Sequence, residues 1–176
     1  MRLGSAALPG LFFAAALLAV DELPPTTPST PELARAAYAR FQALEGSWDG
    51  RSTKGWAETL RYQTIAAGSA VLETSLDAHP GEAMATVFYL DGDRLLLTHY
   101  CVAKNQPRLE ATAFADGGRT VVFTFRDGGN IPTRERGHMD KAVFVFEAQD
   151  RVRSRWTWYQ DGQEKWFEEI LQTRRP

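Results

Sequence analysis

From position 47 to the C-terminus the chain is interrupted about every 8–14 residues by a short turn signal. The signals are Lys54-Gly55, Ala67-Gly68, His79-Pro80-Gly81, Asp91-Gly92, Asn105-Gln106-Pro107, Asp116-Gly117-Gly118, the stretch 127–132, Gln149-Asp150 and Asp161-Gly162. Between them polar and apolar residues alternate, and no segment keeps a helical period. Evenly spaced turns around period-two segments describe an antiparallel meander, and nine breaks make about ten strands. A sheet that long with one aromatic face is expected to curl and close, because closure removes the two exposed edges. The expected fold class is all-β: an antiparallel up-and-down β-barrel of about ten strands.

One α-helix is expected before it. Leu33, Ala36, Ala37, Tyr38, Phe41 and Leu44 recur at helical spacing, with Thr30 as N-cap, Pro31 in the first turn and Gly46 after the end. That spacing predicts a helix over 31–44. Ahead of it, residues 20–31 carry Pro24, Pro25, Pro28 and Pro31 among threonines and read as an extended linker without packing. Residues 1–19 read as a signal peptide, with Arg2 as the positive end and an apolar run over 11–20. That run is about half the ~20 residues a spanning helix needs. The expected organisation is leader 1–19, linker 20–31 and barrel domain 32–176, with the mature chain secreted or periplasmic and not inserted in a membrane.

Composition excludes some classes. With 44% hydrophobic and 24% charged residues the chain is not wholly disordered. A formal net charge of -2 gives no electrostatic basis for binding nucleic acid. The single cysteine, Cys101, has no partner for an internal disulfide and reads as a buried thiol in an apolar strand.

Alternation assigns faces. In Val121-Val122-Phe123-Thr124-Phe125 the odd positions point inward, and Phe144 and Phe146 share one face. Val152, Trp156 and Trp158 oppose Arg151, Arg153 and Arg155, which read as a solvated outer row. The parity of Arg61, Glu73 and Glu110 is ambiguous. Asn105, Gln106, Pro107 and Arg108 read as a polar rim, and the long 127–137 loop as a lid or portal.

Together with the leading helix and the meander, the run Leu44-Glu45-Gly46-Ser47-Trp48-Asp49-Gly50 resembles the calycin group: lipocalins, fatty-acid-binding proteins and nitrobindin-like haem barrels. The Gly-x-Trp element is carried by Gly46 and Trp48, and the resemblance implies that Trp48 plugs the closed end near the first strand. The runs Leu97-Thr98-His99-Tyr100-Cys101 and Asn105-Gln106-Pro107-Arg108 are similar to those of secreted bacterial lipocalin-like proteins. Nitrobindin-like barrels take a haem ligand from a histidine in the C-terminal strands; the last segment here, 164–173, has none.

The chemistry-bearing candidates are few. His99 and Cys101 share a strand face with Leu95 and Leu97, and His138 shares parity with Ala142, Phe144 and Phe146, so all three are expected to face the interior. The leading expectation is a barrel that binds a small apolar or amphipathic molecule. Its expected ligand-binding residues are His99, Cys101, Phe123, Phe125, His138, Phe144, Phe146, Trp156 and Trp158. No cofactor is assigned; a transition metal or haem on His99, Cys101 and His138, or an enzyme using the same set, is the second reading. A filled barrel serving as an interaction domain is the third. No nucleotide, zinc-finger or serine-triad pattern is present, and fold analogy does not choose among the three.

Overall fold

The computed structural model describes residues 24–79 and 82–176; the leader expected at 1–19 lies outside them. A short strand β1 (Thr27–Pro28) and helix α1 (Pro31–Gln42) precede ten long strands. These are β2 (Gly46–Ser52), β3 (Ala57–Ile65), β4 (Ala70–His79), β5 (Glu82–Asp91), β6 (Arg94–Tyr100), β7 (Gln106–Ala115), β8 (Thr120–Gly129), β9 (His138–Ala148), β10 (Arg151–Gln160) and β11 (Gln163–Arg174). Each pairs antiparallel with its neighbour in sequence, and β11 returns to β2 through Ile170↔Ser52 to Arg174↔Trp48. The meander therefore closes into a ten-stranded antiparallel barrel.

The helix starts where its capping chemistry puts it. The Thr30 side chain accepts from the Leu33 N–H at 3.3 Å, and Pro31 occupies the first turn. The helix ends at Gln42, two residues earlier than the apolar spacing suggests, because Leu44 is buried in the core as the chain enters β2. The segment 20–31 is not unpacked throughout: Thr27 and Pro28 pair with Phe114 and Ala113 of β7, and the Ser29 N–H donates to the Thr112 carbonyl at 3.1 Å.

The helix closes one end of the barrel and fills it. Phe41 stacks on Phe88 at 4.1 Å between ring centroids and meets Phe146, Phe144 and Phe123 edge-on at 5.0, 5.3 and 6.1 Å. Trp48 is fully buried beside them; its indole N–H donates to the Leu44 carbonyl at 2.8 Å. The Arg174 guanidinium lies 4.4 Å over the Trp48 ring and donates to the Ala43 and Glu45 carbonyls at 2.7 and 2.6 Å. One C-terminal side chain thus covers the tryptophan and satisfies carbonyls left open at the end of α1. The outer arginine row is as alternation predicts: Arg153 pairs with Glu147 at 2.6 Å and Arg155 lies 3.7 Å over the Phe167 ring.

Candidate functional site

Inward positions repeat every second residue along each strand, so the half of the barrel away from α1 is lined by a readable set. Strand β3 presents Glu58, β4 Glu73 and Ser75, β5 Met84, β6 His99, β10 Trp156 and Trp158, and β11 Trp166, Glu168, Ile170 and Gln172. They enclose a cavity of about 290 Å3 that reaches the end opposite the helix, with Trp56, Cys101, Val102, Ala103 and Met139 completing its wall. The barrel is filled at one end and hollow at the other.

The walls are mainly aromatic and sulfur-bearing. Trp158 and Trp166 stack near-parallel at 5.6 Å on paired positions of β10 and β11, and Lys54 approaches the outer Trp166 ring at 5.8 Å. Trp156 meets Phe144 edge-on at 5.7 Å, joining the cavity to the packed half. The polar groups lie deeper. The Tyr62 hydroxyl donates to Gln172 Oε1 at 2.7 Å, and the Gln172 amide donates to Ser154 Oγ at 3.3 Å. Ser75 Oγ donates to Glu58 Oε2, and Ser52 Oγ donates to Glu168 Oε1. Glu58 Oε1 and Glu73 Oε2 are buried without a hydrogen-bond partner.

Burial sets the protonation of this layer. Loss of water, reinforced by the neighbouring Glu58, pushes the Glu73 carboxyl up to about 8 even though the Tyr62 hydroxyl favours its charge. Burial also raises Glu58, which feels Glu168 as a like charge. His99 is pushed down to about 4 by burial, so its ring is neutral at ordinary pH; Nδ1 lies 3.0 Å from Thr86 Oγ1 and the ring 4.9 Å from Trp156.

The expected site residues divide into three groups. His99, Cys101, Trp156 and Trp158 line the cavity. Phe123, Phe144 and Phe146 face inward as alternation predicts, but they pack around Phe41 in the filled half and do not reach the cavity. His138 and Phe125 are elsewhere. The β9–β10 register shifts between Thr157↔Lys141 and Trp158↔Met139, so one extra residue, Asp140, reverses the alternation. Met139 consequently faces the cavity in place of His138. The His138 ring packs 4.3 Å from Phe125 and 5.8 Å from Tyr159, in the seam beyond Thr124↔Lys141, where the β8–β9 ladder has ended. Arg134 lies over both Phe125 and Tyr159, at 4.7 and 4.2 Å, with its NH1 nitrogen 2.6 Å from His138 Nε2, and pins the 130–137 loop there. His99, Cys101 and His138 are therefore not brought together. Among the described residues no group of three His, Cys, Asp or Glu side chains is placed to hold a metal ion.

Cys101 is not within a strand. It opens the β6–β7 turn: its carbonyl accepts from the Lys104 N–H at 2.9 Å and its N–H donates to the Asn105 carbonyl at 3.1 Å. The expected polar rim at 105–108 also dissolves. Gln106, Pro107 and Arg108 belong to β7, Arg108 pairs with Asp127, and the fully buried Asn105 donates to the Gly137 carbonyl at 2.8 Å. Glu58 and Glu168 were not singled out by the sequence reading, although each stands two residues from an inward apolar residue, Leu60 and Ile170. Of the ambiguous charges, Glu73 is interior, Arg61 is exposed, and Glu110 pairs with Arg126 at 3.0 Å.

No family model and no curated protein matches the chain. Among solved structures it is similar to the crystal structure of a DUF3598-family protein of unknown function from Nostoc punctiforme, with a TM-score of 0.51 and 12% identity. The match covers 76% of this chain and 48% of that one, so this chain spans about half the length of that protein. The likeness concerns the fold.

Proposed function

We propose that the protein is a secreted, calycin-like barrel that binds a small apolar or amphipathic molecule in the open half of its interior. The observation that carries this reading is the 290 Å3 cavity, with tryptophan and methionine walls and a few polar groups at depth. Such a site gains affinity from its walls and orientation from its polar groups, and its volume is near the lower end for small-molecule pockets. A filled interaction barrel has no use for the hollow half. A site needing His138 beside His99 and Cys101 is not assembled.

The test is a titration with 1-octanol followed by tryptophan fluorescence, since Trp156 and Trp158 line the cavity. Saturable binding is expected. Met139→Trp, which places bulk on the cavity wall, is expected to abolish it while leaving the unfolding transition cooperative. Unchanged binding by that variant would move the ligand out of the barrel.

A further inference from the structure

The deep end of the cavity holds more acceptor oxygens than the chain supplies donors for. Glu58 and Glu73 are 4% and 6% exposed, and each keeps one carboxylate oxygen buried and unpartnered. Glu168, 8% exposed, lies on the same wall. Among the described residues no lysine or arginine lines the cavity, and the histidine that does is neutral. A buried polar atom without a partner costs on the order of 1–3 kcal/mol, and both of these belong to side chains that line the enclosed space, where an occupant could supply donors.

The place is also shaped for these carboxylates. Gly50 stands opposite Glu58 on β2, and a Cβ there would lie 2.5 Å from Glu58 Cγ and 2.9 Å from Glu58 Oε1. Glycine at 50 is the space into which the Glu58 side chain folds. Ser75 holds one Glu58 oxygen and leaves the other free.

We propose that the occupant is a small amphipathic molecule bearing a protonated amine, with its ammonium between Glu58 and Glu73 and its apolar body against Trp156, Trp158 and Met84. This rests on the cavity being a ligand site. An ammonium has donors for both free oxygens and no acceptor, and tryptophan faces attract cations. An anionic head would meet three carboxyls. The groups facing Glu73 are Tyr62 and Glu58 from β3, with His99 across the cavity on β6 and Glu168 on β11. None supplies a positive charge at neutral pH. Glu73 holds its proton there because burial disfavours its charge; an arriving ammonium supplies the opposite charge that burial denies it, so the carboxyl ionises and its proton leaves to solvent.

The experiment is calorimetry at pH 7 in two buffers of different ionisation heat, with n-octylamine, 1-octanol and octanoate. Octylammonium is expected to bind at least about tenfold more tightly than octanol and to release protons, and octanoate to bind most weakly. Glu73→Gln and Glu58→Gln are expected to weaken amine binding far more than octanol binding and so bring the amine-to-alcohol ratio close to one, with a cooperative urea transition reporting that the barrel is folded. Should either variant not fold, the ranking of the three head groups on the unaltered protein decides. Octanol binding without amine preference overturns the amine assignment and leaves the binding barrel standing; no binding by any of the three overturns both.

Discussion

At the scale of single residues, Glu73 and His99 give the protein an unusual pH profile. The folded Glu73 carboxyl is raised from 4.5 to about 8, so between those values the folded state holds a proton the unfolded chain has lost. Its contribution is complete below about 4.5 and disappears as pH rises to 8. His99 is lowered from 6.5 to about 4, so between those values the unfolded chain holds the extra proton, and stability falls as pH drops through that window. The two slopes oppose each other between 4.5 and 6.5. The Glu73 and His99 contributions are expected to cancel there, leaving only the shallower decline from the raised Glu58, and the unopposed Glu73 decline follows from 6.5 to 8, by up to about 1.4 kcal/mol per pH unit. Urea unfolding across pH 4–9 checks this, and Glu73→Gln should remove the alkaline decline. His99→Ala should weaken octanol binding by about tenfold if the ring orients the ligand; unchanged affinity would make His99 a wall residue only. Gly50→Ala should displace the Glu58 side chain and reduce amine binding more than octanol binding. This layer left only a faint signal in residues two apart, Glu58 with Leu60, Glu73 with Val71 and Glu168 with Ile170: the parity of Glu73 is ambiguous from sequence, and nothing else marks the other two. His138 was misread by the same rule, because the extra residue at Asp140 is a bulge and alternation carries no signal for one.

At the scale of elements, the turn spacing located the hairpins well, and the helical spacing of apolar residues located the helix within two residues at its C-terminal end. It misplaced the β6–β7 turn. Asn105-Gln106-Pro107 has turn composition, yet the reversal is made by 101–104, with Lys104 at φ 62°, and Pro107 sits within β7, where its missing N–H is tolerated beside the β7–β8 register shift after Arg108. What holds the elements together at the closed end is the contact between α1, Trp48 and Arg174. Trp48→Ala should cost about 3–5 kcal/mol in chemical denaturation, since Tyr62, Arg174 and the helix surround the indole. Arg174→Ala should cost about 1–3 kcal/mol through the carbonyls of Ala43 and Glu45, and lysine should restore only part of it, because an ammonium cannot stack on Trp48 as a planar guanidinium does. An equal recovery with lysine would reduce Arg174 to a surface charge.

At the scale of the whole molecule, one barrel does two jobs along its axis. The α1 half is a close-packed phenylalanine core that carries stability; the other half keeps an interior open, ringed by the tryptophans of β10 and β11. Fold class and closure followed from turn spacing and aromatic faces. The division into halves did not, because Phe123, Phe144, Phe146, Trp156 and Trp158 all have inward parity, and parity does not say how far up the axis a side chain stands. The helix, through Phe41 above all, decides which of them are covered. The most direct test of the binding account is a methyl-resolved NMR titration of 13C-methionine protein with 1-octanol. Met84 and Met139 line the cavity from β5 and β9. Binding inside the barrel should give saturable shifts of both methyl signals with one affinity and no change in the cooperativity of unfolding; methyl signals that stay unmoved while octanol binds would contradict it.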